Sequence, residues 1–172
     1  TGFLDHVRKM GANIEIVMQS NDEYIEPTAK LIISYTPDLK NINIVPDDLP
    51  RLIDEVPILA LLATQAEGGF ILSDASELRV KETDRIKATV KNLQILGIEI
   101  FEQENGFSLI GKQNITGGEV SCYDDHRIAM MSVIAGFVSK EGVLVRNVEC
   151  IETSFPNFFR EFVRCGANIT IG

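Results

Sequence analysis

The sequence predicts an α/β fold built from copies of one β-α-β-α-β-β unit. Three observations carry that prediction. First, the segments 3–16, 86–101 and 155–171 share one layout: an amphipathic helix, a glycine, then a strand. Second, another type of helix alternates with these, over 57–67 and 125–139, each leading to a glycine and an aliphatic run. Third, the order of elements restarts after roughly 70–85 residues, a period too long for a solenoid and suited to a pseudo-symmetric domain.

The elements follow from local patterns. Aligned on Gly11, Gly97 and Gly166, the position seven before each glycine is Leu4, Val90 or Phe159; four before it comes Val7, Leu93 or Phe162, and one before it Met10, Leu96 or Cys165. This is one apolar stripe on a helix that ends at a glycine. Ile14, Ile100 and Ile169 follow three residues after the glycines and read as strand. Pro57 suits a first helical position, where its missing N–H would be unpaired anyway. Asp125 can cap the helix that follows it, and Thr83 or Asp84 the one before Ile86. From Asn41 onward the reading is strand 41–45, helix 57–67, strand 69–73, helix 84–96, strand 97–103 and strand 106–111. Glu104, Asn105 and Gly106 supply the turn between the last two. A further strand is expected near 30–35. The chain then divides into the tail of a first unit (1–37), a complete unit (38–112) and a nearly complete one (113–172), all in one domain.

Composition restricts function. Sixteen basic against 25 acidic residues give a net charge of −9, which disfavours nucleic-acid binding. No apolar run reaches the ~20 residues of a membrane helix, and no signal peptide is visible. The start at Thr1, without Met and at the edge of a helix, is what an excised piece would show. Cys122, Cys150 and Cys165 are odd in number, widely spaced and without a C-x-x-C pair, as in a reducing cytoplasm. His6 and His126 lie too far apart to suggest a metal site. Glycine-rich nucleotide loops and the G-x-S-x-G elbow are absent, so Rossmann, P-loop and hydrolase readings fail.

Two arginines stand out. Arg85 and Arg127 each fall in the first turn of a helix, where a cation opposes the helix dipole. One such arginine is most simply paired with a carboxylate on a solvated face. Two, at equivalent helix starts in an acidic chain, favour a site for phosphate or carboxylate. Asp54 and Glu55 occupy the equivalent place before Pro57, among Leu52, Ile53 and Val56. Asp54 is either a buried acid or base with raised proton affinity or a helix-capping residue. His126 is a general acid-base candidate or a helix-start residue making one hydrogen bond.

The segment Glu77-Leu78-Arg79-Val80-Lys81-Glu82-Thr83-Asp84-Arg85 resembles the signature of the 3-phosphoshikimate 1-carboxyvinyltransferase (enolpyruvylshikimate phosphate synthase) family. Asp125-His126-Arg127-Ile128-Ala129-Met130 is similar to that family's second C-terminal signature. Leu52 to Pro57 and Thr153 to Pro156 match two further segments in the right order. The resemblance implies a two-domain transferase, each domain made of three β-α-β-α-β-β units about a pseudo-threefold axis, in an arrangement like an inverse α/β barrel. This chain would be most of the C-terminal domain, lacking its partner N-terminal domain. The implied reaction moves the enolpyruvyl group of phosphoenolpyruvate to the 5-hydroxyl of shikimate 3-phosphate, releasing phosphate, in the shikimate pathway to chorismate and aromatic amino acids.

No metal or organic cofactor is implied, nor any nucleic-acid or membrane partner, and the full-length protein is expected to be a cytoplasmic monomer. By motif, Asp54 would contact the shikimate hydroxyls and act as base, and Glu82 would exchange a proton with the methylene. Arg85 and Arg127 would hold the phosphoenolpyruvate carboxylate, with Lys81 and His126 lining the site. The piece alone would be inactive. Many members carry a lysine where this chain has Thr153, which weakens an expected phosphate contact there. The sister transferase acting on UDP-N-acetylglucosamine lacks the Lys-Glu-Thr-Asp-Arg segment. A non-catalytic domain of the same fold would not be expected to keep Asp54, Glu82, Arg85 and Arg127 together.

Overall fold

A computed structural model describes residues 2–20 and 28–172. Thr1 and residues 21–27, which belong to the expected first unit, lie outside the described residues. Helix α1 (Gly2–Lys9) leads to β1 (Asn13–Ser20) and β2 (Thr28–Ser34), which pair antiparallel with Ile14 opposite Ile33. Next come α2 (Val56–Gln65), β3 (Gly69–Leu72), α3 (Arg85–Ile95), β4 (Ile100–Gln103) and β5 (Gly106–Ile110). The chain finishes with β6 (Gly118–Ser121), α4 (His126–Val138), β7 (Val143–Arg146) and α5 (Phe158–Arg164).

The middle sheet has the order β3-β5-β4, all antiparallel, and the Glu104–Asn105 turn joins Gln103 to Gly106 as the sequence predicts. On its far side, Lys40 and Ile44 bridge Glu67 and Leu72 in parallel. Strands β6 and β7 pair parallel across α4, as the 40–44 segment and β3 do across α2. A parallel pairing across a helix is thus common to both stretches.

Helices α2, α3 and α4 touch one another at the centre and the sheets lie outside them. Leu59, Ala60 and Ala63 of α2, Ile86, Val90 and Leu93 of α3, and Ile128, Met131 and Ala135 of α4 are all buried. Strand β3 alternates: Phe70 and Leu72 are buried while Ile71 is exposed, the period-2 pattern of a strand with one face on a core. A second apolar cluster joins Cys122, Ala129, Ile151 and Phe158, and Phe159 and Phe162 of α5 pack against it.

The three aligned glycines end their helices in one way. Gly11, Gly97 and Gly166 have φ of 98°, 89° and 93°. The next residue's N–H reaches back to Val7, Leu93 and Phe162 respectively. This is the Schellman arrangement, which requires a left-handed residue that glycine alone adopts without strain.

Two expected strands do not form. Over 41–45, Asn43 Oδ1 takes the amide of Ile71 at 3.1 Å, so a side chain interrupts the ladder and only Lys40 and Ile44 bridge. Asn41 instead turns its amide to the carbonyls of Ala63 in the last turn of α2 and of Gly68 just past it. After α5, the stretch around Ile169 that ends the 155–171 segment has no strand partner among the described residues, and an unpaired strand has no ladder to hold it.

Candidate active site

The N-terminal ends of α2, α3 and α4 converge, and Arg85 lies where they meet. Its side chain is 1% exposed and each of its nitrogens faces a different carboxylate. Nε donates to Asp125 Oδ2 at 2.7 Å, NH1 to Asp54 Oδ1 at 2.8 Å, and NH2 to Glu82 Oε2 at 2.6 Å. Burial alone would lower the proton affinity of this guanidinium, but Asp125 and the other carboxylates outweigh it and keep it charged. The simple expectation of an arginine on a solvated face is thus corrected in one respect. Arg85 is paired, but in the interior.

Asp54 sits between the two arginines. One oxygen accepts from Arg85 and the other lies 3.4 Å from Arg127 NH2, while Arg127 NH1 donates to the Asp54 carbonyl at 2.9 Å. Burial pushes the Asp54 carboxyl up. The Arg85 hydrogen bond and the charges of Arg127, Arg85 and Lys81 more than reverse this and hold it below the ordinary value. The raised proton affinity weighed from its aliphatic neighbours is therefore not found in this arrangement; two guanidinium groups decide the sign. Nor does Asp54 cap α2, which has no side-chain cap.

Glu82 lies just ahead of α3 and its side chain is half exposed. Lys81 pairs with Glu77 at 2.6 Å. His126 and Arg127 are the first two residues of α4, both partly buried. Asp84 caps α3 through Lys87 N, as one of the two expected candidates. Thr153 is exposed and its hydroxyl donates only to the Cys150 carbonyl in its own turn, at 2.7 Å. Elsewhere in the 77–85 segment, Arg79 holds the β4–β5 hairpin. It bonds the carbonyls of Gln103 and Glu104 and the carboxylates of Glu102 and Asp84.

Reading the sequence by motif missed Asp125 as a member of this cluster, although it identified the helix cap. Asp125 Oδ1 does cap α4, accepting from Arg127 N at 2.8 Å and Ile128 N at 3.4 Å. Its other oxygen takes Arg85. A cap whose second oxygen is directed inward carries no mark of its own in the sequence.

The description that matches residues 1–162 is that of EPSP synthase, 3-phosphoshikimate 1-carboxyvinyltransferase. The chain belongs to the EPSP synthase family. It is 42% identical over 167 residues to 3-phosphoshikimate 1-carboxyvinyltransferase of Persephonella marina, covering 97% of this chain and 38% of that protein. With the enzyme of that name from Bacillus subtilis it shares 47% over 160 residues, 92% of this chain and 37% of the other. Among solved structures, an EPSP synthase from Acinetobacter baumannii superposes with a TM-score of 0.90 at 32% identity, over 100% of this chain and 40% of that one. The enolpyruvyl transferase NikO of Streptomyces tendae matches at 17% identity with a TM-score of 0.71, over 98% of this chain and 36% of that one, a likeness of fold alone. The chain spans under two fifths of the Persephonella and Bacillus EPSP synthases it matches.

The charge balance at this cluster bears on what it can bind. Arg85 and Arg127 stand among Asp54, Glu55, Glu82 and Asp125, with Glu55 3.4 Å from Arg127. Lys81, the next cation, is already paired with Glu77. Carboxylates outnumber guanidinium groups here, so an anion docks only by displacing carboxylates or with cations supplied from elsewhere.

Proposed function

We propose that the protein carrying this chain transfers the enolpyruvyl group of phosphoenolpyruvate to the 5-hydroxyl of shikimate 3-phosphate, releasing phosphate. The observation that carries the reading is the Arg85 cluster, which joins Asp54, Glu82 and Arg127, the residues that the resemblance assigns to acid-base work and carboxylate binding. A division of the chain into 1–37, 38–112 and 113–172 accompanies this reading, supported by the recurring parallel pairing across α2 and α4. A cytoplasmic setting fits the three free thiols.

In the proposed chemistry the 5-hydroxyl oxygen bonds to the enol carbon while the methylene takes a proton, giving a tetrahedral intermediate. The bond to phosphate then breaks as the methyl group returns that proton. Glu82 gives and recovers the methylene proton, and Asp54 receives the hydroxyl proton. Arg85 and Arg127 hold the substrate carboxylate, with Lys81 and His126 at the border of the site.

The geometry suits an exchange of carboxylates. NH1 and NH2 of Arg85 are held by Asp54 and Glu82, whose side chains are 44% and 49% exposed. Those two nitrogens form the fork that takes a carboxylate in bidentate fashion. A substrate carboxylate arriving there frees both acidic groups in one step. Without the Arg85 hydrogen bond, the proton affinity of Asp54 rises, as a base requires.

The test is phosphate release by the full-length protein from phosphoenolpyruvate and shikimate 3-phosphate, with UDP-N-acetylglucosamine as the parallel acceptor. Turnover is expected with the shikimate acceptor. Turnover with the nucleotide sugar only, or with neither, would sink the reading.

A further inference from the structure

We infer that Asp125 is a positioning residue for the carboxylate site, fixing Arg85 and Arg127 at one spacing. The inference rests on the enolpyruvyl-transfer reading above. Of the three carboxylates on Arg85, Asp125 alone has a side chain with no exposure. It approaches Nε at 2.7 Å, away from the NH1–NH2 fork. A substrate carboxylate taking that fork leaves the Asp125 bond intact, and the guanidinium plane keeps its orientation.

The same side chain grips the other arginine through the backbone. Asp125 Oδ1 accepts from Arg127 N at 2.8 Å, at the point where Arg127 leaves the helix start. Asp125 is itself secured, donating its own N–H to the Cys122 carbonyl at 3.0 Å and accepting at its carbonyl from Ala129 N at 2.9 Å. One carboxylate thus links the side chain of a residue on α3 to the main chain of a residue on α4. It also stays beside Arg85 as a counter-ion when the fork is occupied. Without that charge, Asp54 and Glu82 would be the remaining counter-ions, and an incoming carboxylate would compete against a tighter pairing.

The helix cap and the Arg85 anchor can be separated. Asparagine and serine are both good N-caps. Neither replaces the anchor: Asn would keep its oxygen on the cap and turn an N–H₂ toward Nε, donor against donor, and Ser is too short to span both partners. In the full-length protein, Asp125→Asn and Asp125→Ser keep the cap but leave the buried guanidinium short of one counter-ion, so both are expected to fold and to melt below the parent. Their KM for phosphoenolpyruvate is expected to rise roughly 10- to 100-fold, the scale of misplacing a binding group by about 1 Å. The KM for shikimate 3-phosphate should stay within about twofold. A phosphoenolpyruvate KM unchanged in both variants would overturn the inference, as would a loss that affects both substrates equally.

A second measurement does not depend on activity. The Arg85 Nε–H proton, hydrogen-bonded to a buried carboxylate, should give a slowly exchanging NMR signal in the parent, assigned by its loss in Arg85→Lys. Its disappearance in both Asp125 variants supports the anchor, and its persistence refutes it. If the parent fails to turn over these substrates, the functional reading falls, and this signal still decides the anchor.

Discussion

Arg85 carries a charge that its place at the start of α3 disfavours, and its burial raises that cost. What offsets both is the set of three carboxylates, one for each nitrogen. In the proposed reaction two of these have work beyond pairing. Glu82→Gln in the full-length protein keeps shape and much of the polarity but cannot exchange a proton at the methylene. Substrate binding should persist, measured by equilibrium titration, while kcat falls about 10²- to 10⁴-fold; normal kcat would refute the role. Asp54 makes a prediction about pH. Its folded carboxyl is held below the ordinary value, so its ionised form stabilises the fold above about pH 4 and that contribution is lost as pH falls through the folded value. The difference in denaturation midpoint between the parent and Asp54→Asn should be largest near neutral pH and shrink in acid. A difference that grows on acidification would contradict the pairing.

Cys150 shows how tertiary neighbours alter a residue that sequence spacing leaves plain. Burial first, and then Cys122 with its sulfur 3.6 Å away, push its thiol up to about 12. Thiolate is the reactive form, so alkylation of Cys150 at pH 8 should be on the order of 10²- to 10³-fold slower than that of free cysteine. Peptide-level mass spectrometry over a time course checks this, and labelling at the free-thiol rate would refute it.

At the scale of elements, α2, α3 and α4 are held by apolar contact and aimed by their caps. Asp84 and Asp125 fix where α3 and α4 begin, and so where Arg85 and Arg127 emerge. Helix–helix contact then sets how far apart those starts lie. Leu93 is fully buried on α3, within this contact. Leu93→Ala in the full-length protein should cost about 2–5 kcal/mol, the usual range for emptying a core leucine site. A chemical-denaturation midpoint unchanged from the parent would show that the helices do not form one core. The β4–β5 hairpin is tied to the same assembly by Arg79, which bonds Gln103, Glu104, Glu102 and the Asp84 cap.

At the scale of the molecule, the acidic excess around Arg85 and Arg127 has a direct consequence. Two guanidinium groups among four carboxylates do not make an electropositive pocket, and Lys81 is engaged with Glu77. A substrate bearing both a phosphate and a carboxylate needs more positive charge than these residues offer. The 172-residue chain by itself is therefore expected to show no phosphate release from phosphoenolpyruvate and shikimate 3-phosphate. Measurable turnover by the purified chain would overturn this. The full-length protein should show the activity.

The repeating unit was legible in the sequence because its marks are local. A glycine that must be left-handed, a stripe of apolar residues before it and a two-residue turn at Glu104–Asn105 need no distant partner to be recognised. The two helix-start arginines were visible for the same reason, since each opposes its own helix dipole. The 41–45 segment and the stretch around Ile169 read wrongly as strands because a strand depends on what lies beside it, which spacing does not state. The tertiary structure alone decided that Arg85 is enclosed by Asp54, Glu82 and Asp125, which lie 31, 3 and 40 positions away in the chain. Electrostatic pairing depends on distance through space, and three helix starts had to converge before those charges could meet.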